Sequence, residues 1–116
     1  MKIETRTLSQ PDFNAKVSPR FVKSMQGFFN NGENRKQNIY KLNQKIEEYA
    51  SFGRDNYTIE MHQKTGPLGY EYSLLAVRND RPNGRKVTLA RRTAYRKIVN
   101  KFMNMTKGEF LARVKY

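Results

Sequence analysis

The sequence predicts an α+β domain: an antiparallel sheet of three to four strands packed against a helical hairpin and a C-terminal helix. Three observations carry this. Apolar residues keep helical spacing before Gly53, alternate with polar ones after it, and return to helical spacing near Tyr95. Turn-forming clusters, Asn30-Asn31-Gly32, Thr65-Gly66-Pro67 and Asp80-Arg81-Pro82-Asn83-Gly84, separate the patterned stretches. At 116 residues, with 37% hydrophobic and 12% aromatic content, the chain can form one modest core, so residues 1–116 read as a single domain.

Taken in order, Ile3, Thr5 and Thr7 alternate with Lys2, Glu4 and Arg6 as in a short strand, which Pro11 and Asp12 break. Ser18-Pro19 is a helix start, a hydroxyl N-cap followed by proline where a missing N–H costs nothing. Phe21, Val22, Met25, Phe28 and Phe29 follow on one stripe, and Asn30-Asn31-Gly32 ends the helix. A second helix over 33–52 collects Ile39, Leu42, Ile46, Tyr49 and Ala50 on one face, making a helical hairpin with the first. Tyr57, Ile59 and Met61 then alternate up to the turn at Gly66-Pro67. Tyr70, Tyr72, Leu74 and Ala76 form the next strand, apolar on both faces in its second half and therefore central. Residues 86–89 return as a third strand, and a helix beginning between Thr88 and Thr93 presents Tyr95, Ile98, Val99, Phe102 and Met103. Two patterns compete in the tail: Thr106 with Glu109 is a capping box, whereas Phe110, Ala112, Val114 and Tyr116 alternate. The balance favours a short helix.

The charge is large and unevenly placed. Lys and Arg number 23 against 10 Asp and Glu, a formal net charge of +13. Residues 1–55 carry ten basic and six acidic side chains; residues 56–116 carry thirteen and four, a net +9. Arg78, Arg81, Arg85, Lys86, Arg91, Arg92, Arg96, Lys97 and Lys101 are opposed only by Asp80, and no acidic residue occurs from Arg81 to Lys107. An ordinary solvated surface mixes Lys with Glu in i,i+4 pairs. The uncompensated run instead predicts a face that meets a polyanion, and its arginines suit phosphate through their planar, bidentate fork.

Residues about 41–103 resemble a double-stranded RNA-binding domain in element order and in two motifs: Gly66-Pro67 after the first strand, and Arg91-Arg92-Thr93-Ala94 near the start of the last helix. Leu68-Gly69 stands where that family commonly has histidine, and Tyr95 takes the last signature position. The resemblance implies that residues 65–69 enter a minor groove of A-form RNA, that Arg91 and Arg92 meet phosphates across the major groove, and that residues 37–52 touch the next minor groove. The whole chain also resembles, in element order, the RelE-like toxin nucleases, which would make Arg78, Arg85, Arg91, Arg92 and Tyr95 candidates for RNA cleavage.

Conventional catalytic constellations are scarce. His62 is the single histidine, so neither a two-histidine acid–base pair nor a three-histidine metal site can form, and without cysteine there is no thiol nucleophile or Cys-based zinc site. Glu60, His62 and Glu71 with a nearby Arg are a set that metal-free RNA cleavage could use, though strand alternation alone explains Glu60 and His62 on a polar face. The glycines form neither GxxxxGK[ST] nor GxGxxG, so no nucleotide or other cofactor is expected. Tyr40, Phe52, Tyr70 and Tyr72 could stack on bases if exposed, with Tyr40 and Tyr116 the best placed to be so; Phe28-Phe29 suits core or a second subunit. No apolar run suits a signal peptide or a membrane span, which predicts a cytoplasmic protein.

The expected function is non-catalytic binding of structured or double-stranded RNA, with the Arg-rich face of residues 78–101 holding phosphates and the loops 65–69, which contains Gly66-Pro67, and 80–86 reading shape. The alternatives are a RelE-like endoribonuclease and a small phage-type inhibitor that covers an acidic protein directly or through bound RNA. A homodimer is compatible with all three.

Overall fold

A computed structural model describes residues 15–52, 57–79 and 86–114. Among these residues four strands and four helices follow in the order β1 (Ala15–Val17), α1 (Pro19–Asn30), α2 (Arg35–Ala50), β2 (Tyr57–Gly66), β3 (Gly69–Arg78), β4 (Lys86–Arg92), α3 (Tyr95–Asn104) and α4 (Lys107–Val114). The sheet order is β1-β2-β3-β4. β2, β3 and β4 form the expected antiparallel meander, but β1 runs parallel to β2, pairing Ala15 with Tyr57 and Val17 with Ile59. The sheet is therefore mixed rather than antiparallel. The reason is connectivity: the α1–α2 hairpin lies between β1 and β2, and a crossover of that length is what parallel neighbours require. β1 itself is too short to show a period, and the strand expected over Ile3–Thr7 lies outside the described residues.

The helices follow their sequence signals closely. α1 begins at Pro19 and ends at Asn30, burying Phe21 and Met25. Ser18 serves as the N-cap through its backbone alone: its carbonyl accepts from the Val22 N–H and its N–H donates to the Ile59 carbonyl, while its hydroxyl makes no capping bond. α2 begins at Arg35, after Asn34 takes a left-handed φ of 59°, and buries Leu42 and Tyr49. The tail resolves as the helix α4. Its capping box is complete, the Glu109 N–H donating to Thr106 Oγ1 (3.1 Å) and the Thr106 N–H to Glu109 Oε1 (3.3 Å). The C-terminal part is thus two helices, the second being the short helix that the capping-box pattern favoured.

Apolar stripes from all four helices enter one cluster with Val17, Tyr57, Ile59, Leu74, Ala76, Leu89 and Ala90 of the sheet. Its centre is aromatic: Tyr49 stacks on Phe102 with ring centroids 4.5 Å apart, Phe21 meets Phe102 edge-on at 5.3 Å, and Phe110 meets Tyr57 edge-on at 5.9 Å. No charged or polar residue is buried among the described residues. The buried Tyr49 hydroxyl is satisfied by donating to the Phe102 carbonyl at 2.9 Å, near the end of α3.

β4 is longer than expected, running through Arg92, so α3 starts two residues beyond the expected window. A register shift between Leu74 and Leu75 lets both Leu89 and Ala90 bury their side chains on the helical side, and pairing continues to Ser73↔Arg91 and Tyr72↔Arg92. Such a bulge leaves no signature in an alternating pattern, which it interrupts.

Candidate nucleic-acid interface

Among the described residues β4 is the last strand of the sheet, with no further strand paired to its outer edge. Against that edge lies a cleft of about 390 Å³ lined by Thr88, Leu89, Ala90, Arg91, Arg92, Lys101 and Arg113. Three elements supply its cations. Arg91 and Arg92 end β4 and, by strand alternation, leave it toward opposite faces. Lys101 comes from the last turn of α3, and Arg113 from the last turn of α4.

Among the described residues one carboxylate, Glu109, bears on this cleft through its contact with Lys101. Glu109 pairs with Lys101 and takes the capping bond of Thr106, and these bonds, with the fields of Lys101 and Arg113, hold its carboxyl below the usual glutamate range. Arg91, Arg92 and Arg113 form no ion pair with a described carboxylate; the Arg92 guanidinium instead donates to the neighbouring Arg91 carbonyl at 2.7 Å. Three guanidinium groups thus line one cleft with no ion pair to a described carboxylate, an arrangement that favours a bound anion.

The nine basic candidates divide by position. Arg91, Arg92 and Lys101 meet in the cleft, and helical spacing places the exposed Lys97 one turn before Lys101 on the same flank of α3. Arg96 lies on the opposite flank, in a second cleft with Phe28, Phe29, Asn31, Gly32, Asn38 and Asn100. Arg78, paired with Tyr57, and Lys86, paired with Val77, sit at the other end of the sheet from Arg92, roughly 20 Å along β4 at the usual strand rise. Arg81 and Arg85 lie outside the described residues. Arg113 is the residue that sequence reasoning missed. The acid-free run ends before Glu109, and Arg113 joins the cluster only because the capping box makes 107–114 a helix that packs along β4.

Gly66 and Pro67 occupy the tip of the β2–β3 hairpin, which extends beyond the end of β4. Pro67 excludes a positive φ, so the two-residue loop Pro67-Leu68 cannot adopt a primed turn, and Gly69, at φ 123°, takes up the difference. Leu68 is fully exposed at the tip and Tyr70 is 55% exposed beside it. From there aromatic rings run inward, Tyr70 to Tyr72 (6.4 Å), Tyr72 to Tyr95 (5.7 Å) and Tyr95 to Phe28 (5.3 Å). Tyr40 is exposed as expected, and Phe52 is buried. The Tyr95 hydroxyl is bonded to Ser24, and burial raises its pKa above the ordinary tyrosine value.

Glu60 and His62 form a pair, Nε2 to Oε1 at 2.9 Å, in a third cleft of about 450 Å³ that also holds Ser18, Arg20, Phe21, Met61 and Gln63. Glu71 is opposite Lys64, two residue pairs from His62 toward the hairpin tip, and does not line this cleft. Among the described residues no group of three or more metal-ligating side chains is placed to hold an ion, and no helix is long and apolar enough to cross a membrane. The chain matches no family model, and no curated protein or solved structure shows significant similarity to it.

Proposed function

We propose that the protein binds structured RNA without cleaving it, holding the phosphate backbone in the cleft at the β4 edge. The observation that carries this reading is the convergence of Arg91, Arg92, Lys101 and Arg113 from three elements on one cleft where, among the described residues, the one nearby carboxylate is already paired. Guanidinium groups fixed at a strand end and on a helix present bidentate donors to successive phosphates, and Lys97 extends the positive field along α3. The hairpin tip, with Gly66, Pro67 and the exposed Leu68, stands at the Arg91–Arg92 end of the sheet, where it supplies a shape contact to the same duplex. The sequence resemblance of residues about 41–103 to double-stranded RNA-binding domains, through Gly66-Pro67 and Arg91-Arg92-Thr93-Ala94, points the same way.

Titration of a structured RNA at several salt concentrations tests it. Affinity should fall steeply with salt, the logarithmic slope approaching roughly 0.9 for each phosphate neutralised. No binding at low salt, or a flat slope, overturns the reading.

A second reading, metal-free RNA cleavage, is favoured by the cleft that joins Glu60, His62 and Arg20. There the Glu60 carboxylate would orient His62 as base while Arg20 neutralises the phosphate. The tyrosine that the RelE-like resemblance points to is poorly suited to act as a base, since burial favours its protonated form. Intact labelled RNA after long incubation excludes cleavage; products lost in His62→Ala establish it.

A further inference from the structure

The cleft on the other flank of α3 differs in chemistry from the basic one. Its floor is Phe28 and Phe29, rings 5.4 Å apart and both only partly buried. Phe28 is backed by Tyr95, edge-on at 5.3 Å, so the floor is packed against the start of α3. Its rim is Asn31, Asn38 and Asn100 with Arg96, and among the described residues no carboxylate lines it. Asn38 makes only a long bond to the Glu33 carbonyl (3.4 Å), and the side chains of Asn31, Asn100 and Arg96 make no hydrogen bond among the described residues. The cleft measures about 460 Å³, within the roughly 300–1,000 Å³ of small-molecule sites.

We propose that this cleft takes one unpaired nucleobase of an RNA strand whose neighbouring phosphates lie against Arg96, Lys97 and the β4-edge cleft; the proposal rests on the reading of that cleft as a phosphate site. The chemistry of the rim selects this occupant. A carboxamide both donates and accepts, as the edge of a base does, so three of them around an aromatic floor match an object that is flat, apolar on its faces and polar at its edge. Arg96 supplies a cation for the phosphate attached to that base. A second copy of this chain fits less well, because Arg96 and the net charge of +13 would meet their equivalents. The two clefts flank a single helix of about 10–12 Å diameter, so a strand that leaves a duplex can cross the α3 N-terminus over Arg96 and Lys97 and present its next base to Phe28 and Phe29.

The test compares two RNAs, one fully paired and one with a single unpaired fluorescent purine analogue that is quenched on stacking. The protein should bind the second roughly ten-fold more tightly, in keeping with the usual effect of base–aromatic stacking, and quench its emission. Asn31→Ala with Asn100→Ala should abolish the preference and leave binding of the paired RNA unchanged, and Phe29→Leu should reduce the quenching. Equal affinity for both RNAs with unchanged emission overturns the proposal while leaving phosphate binding intact. Failure to bind either RNA overturns both. A concentration-dependent dimer that Asn100→Lys dissociates would give the cleft to a second copy and overturn the base site.

Discussion

The β2–β3 ladder pairs ten residues with ten, yet its two halves live in different surroundings. From Tyr57↔Arg78 to Met61↔Leu74 it carries Tyr57, Ile59, Leu74 and Ala76 into the core, whereas from His62↔Ser73 to Gly66↔Gly69 no residue is buried. The first half is held by burial under the helices. β4 reaches only Ser73 and Tyr72 of the second half, and beyond them the ribbon is held by little besides its own backbone bonds and the ring contact of Tyr70 with Tyr72. A two-stranded ribbon is marginal in water, so the outer half exists as an extension of a ladder nucleated elsewhere. The basic end of β4 lies at the boundary between the halves. On the proposed function, stability and binding belong to different ends of the same strands, and substitutions at each end should separate them.

The largest effect is expected in the inner region. Phe102→Ala removes the ring that stacks on Tyr49 and meets Phe21, and should cost about 3–5 kcal/mol in denaturant unfolding. A loss below 1 kcal/mol would mean that the aromatic centre is not what holds the helices to the sheet. In the cleft the effect should be of the opposite kind. Arg91→Ala, Arg92→Ala and Arg113→Ala together should weaken RNA binding by roughly a hundred-fold at moderate salt and reduce the salt slope by about 2–3, with unfolding unchanged or slightly harder as repulsion is relieved. If only Arg91 and Arg92 mattered, Arg113→Ala alone would leave the slope untouched.

How much of this is legible in sequence follows from range. α1 carries local signals at both ends, Ser18-Pro19 and Asn30-Asn31-Gly32, and the structure keeps both limits. The capping box at Thr106 decides between two patterns for the tail in the same way. β1 and the β4 bulge are fixed by partners distant in the chain, Tyr57 to Ile59 for one and Leu74 to Leu75 for the other, and three residues or one irregular step carry no period to read. The cleft is intermediate. Arg91 and Arg92 stand out by charge density, but Arg113 acquires its place from the packing of α4 on β4. Tyr70 falls on an apolar alternation and would be read as core; it is exposed because the helical layer ends before reaching it.

Smaller changes probe the helical side further. Tyr49→Phe deletes a bond to the Phe102 carbonyl and should cost about 1 kcal/mol at neutral pH. Burial raises the Tyr49 pKa well above its ordinary value, and the Glu48 and Glu109 carboxylates add to this. A tyrosine with a raised folded pKa gives stability that is complete below its unfolded pKa, about 10, and is lost as pH climbs above it. The alkaline decline should therefore be shallower in Tyr49→Phe, a comparison made by unfolding at a series of pH values; parallel curves would sink the assignment. Thr106→Ala should cost about 0.5–2 kcal/mol through the lost cap. Glu109 behaves in the opposite sense: its lowered pKa makes its contribution present above the usual glutamate value and lost as pH falls through the folded one, so Glu109→Gln should flatten the acid limb.

The smallest effect on stability is expected at the hairpin tip, where the contrast between the two halves is most exposed to failure. Leu68 is fully exposed and belongs to no packed cluster, so Leu68→Ser should leave unfolding within about 0.5 kcal/mol of the parent. A drop above 1 kcal/mol would show that the outer half is structural after all. In binding, the same substitution should weaken affinity for a structured RNA several-fold without changing the salt slope, because an apolar contact neutralises no phosphate. That pairing of an unchanged slope with a reduced affinity is what distinguishes a shape contact at the tip from a charge contact in the cleft. An unchanged affinity would confine the interface to the β4 edge and the flanks of α3.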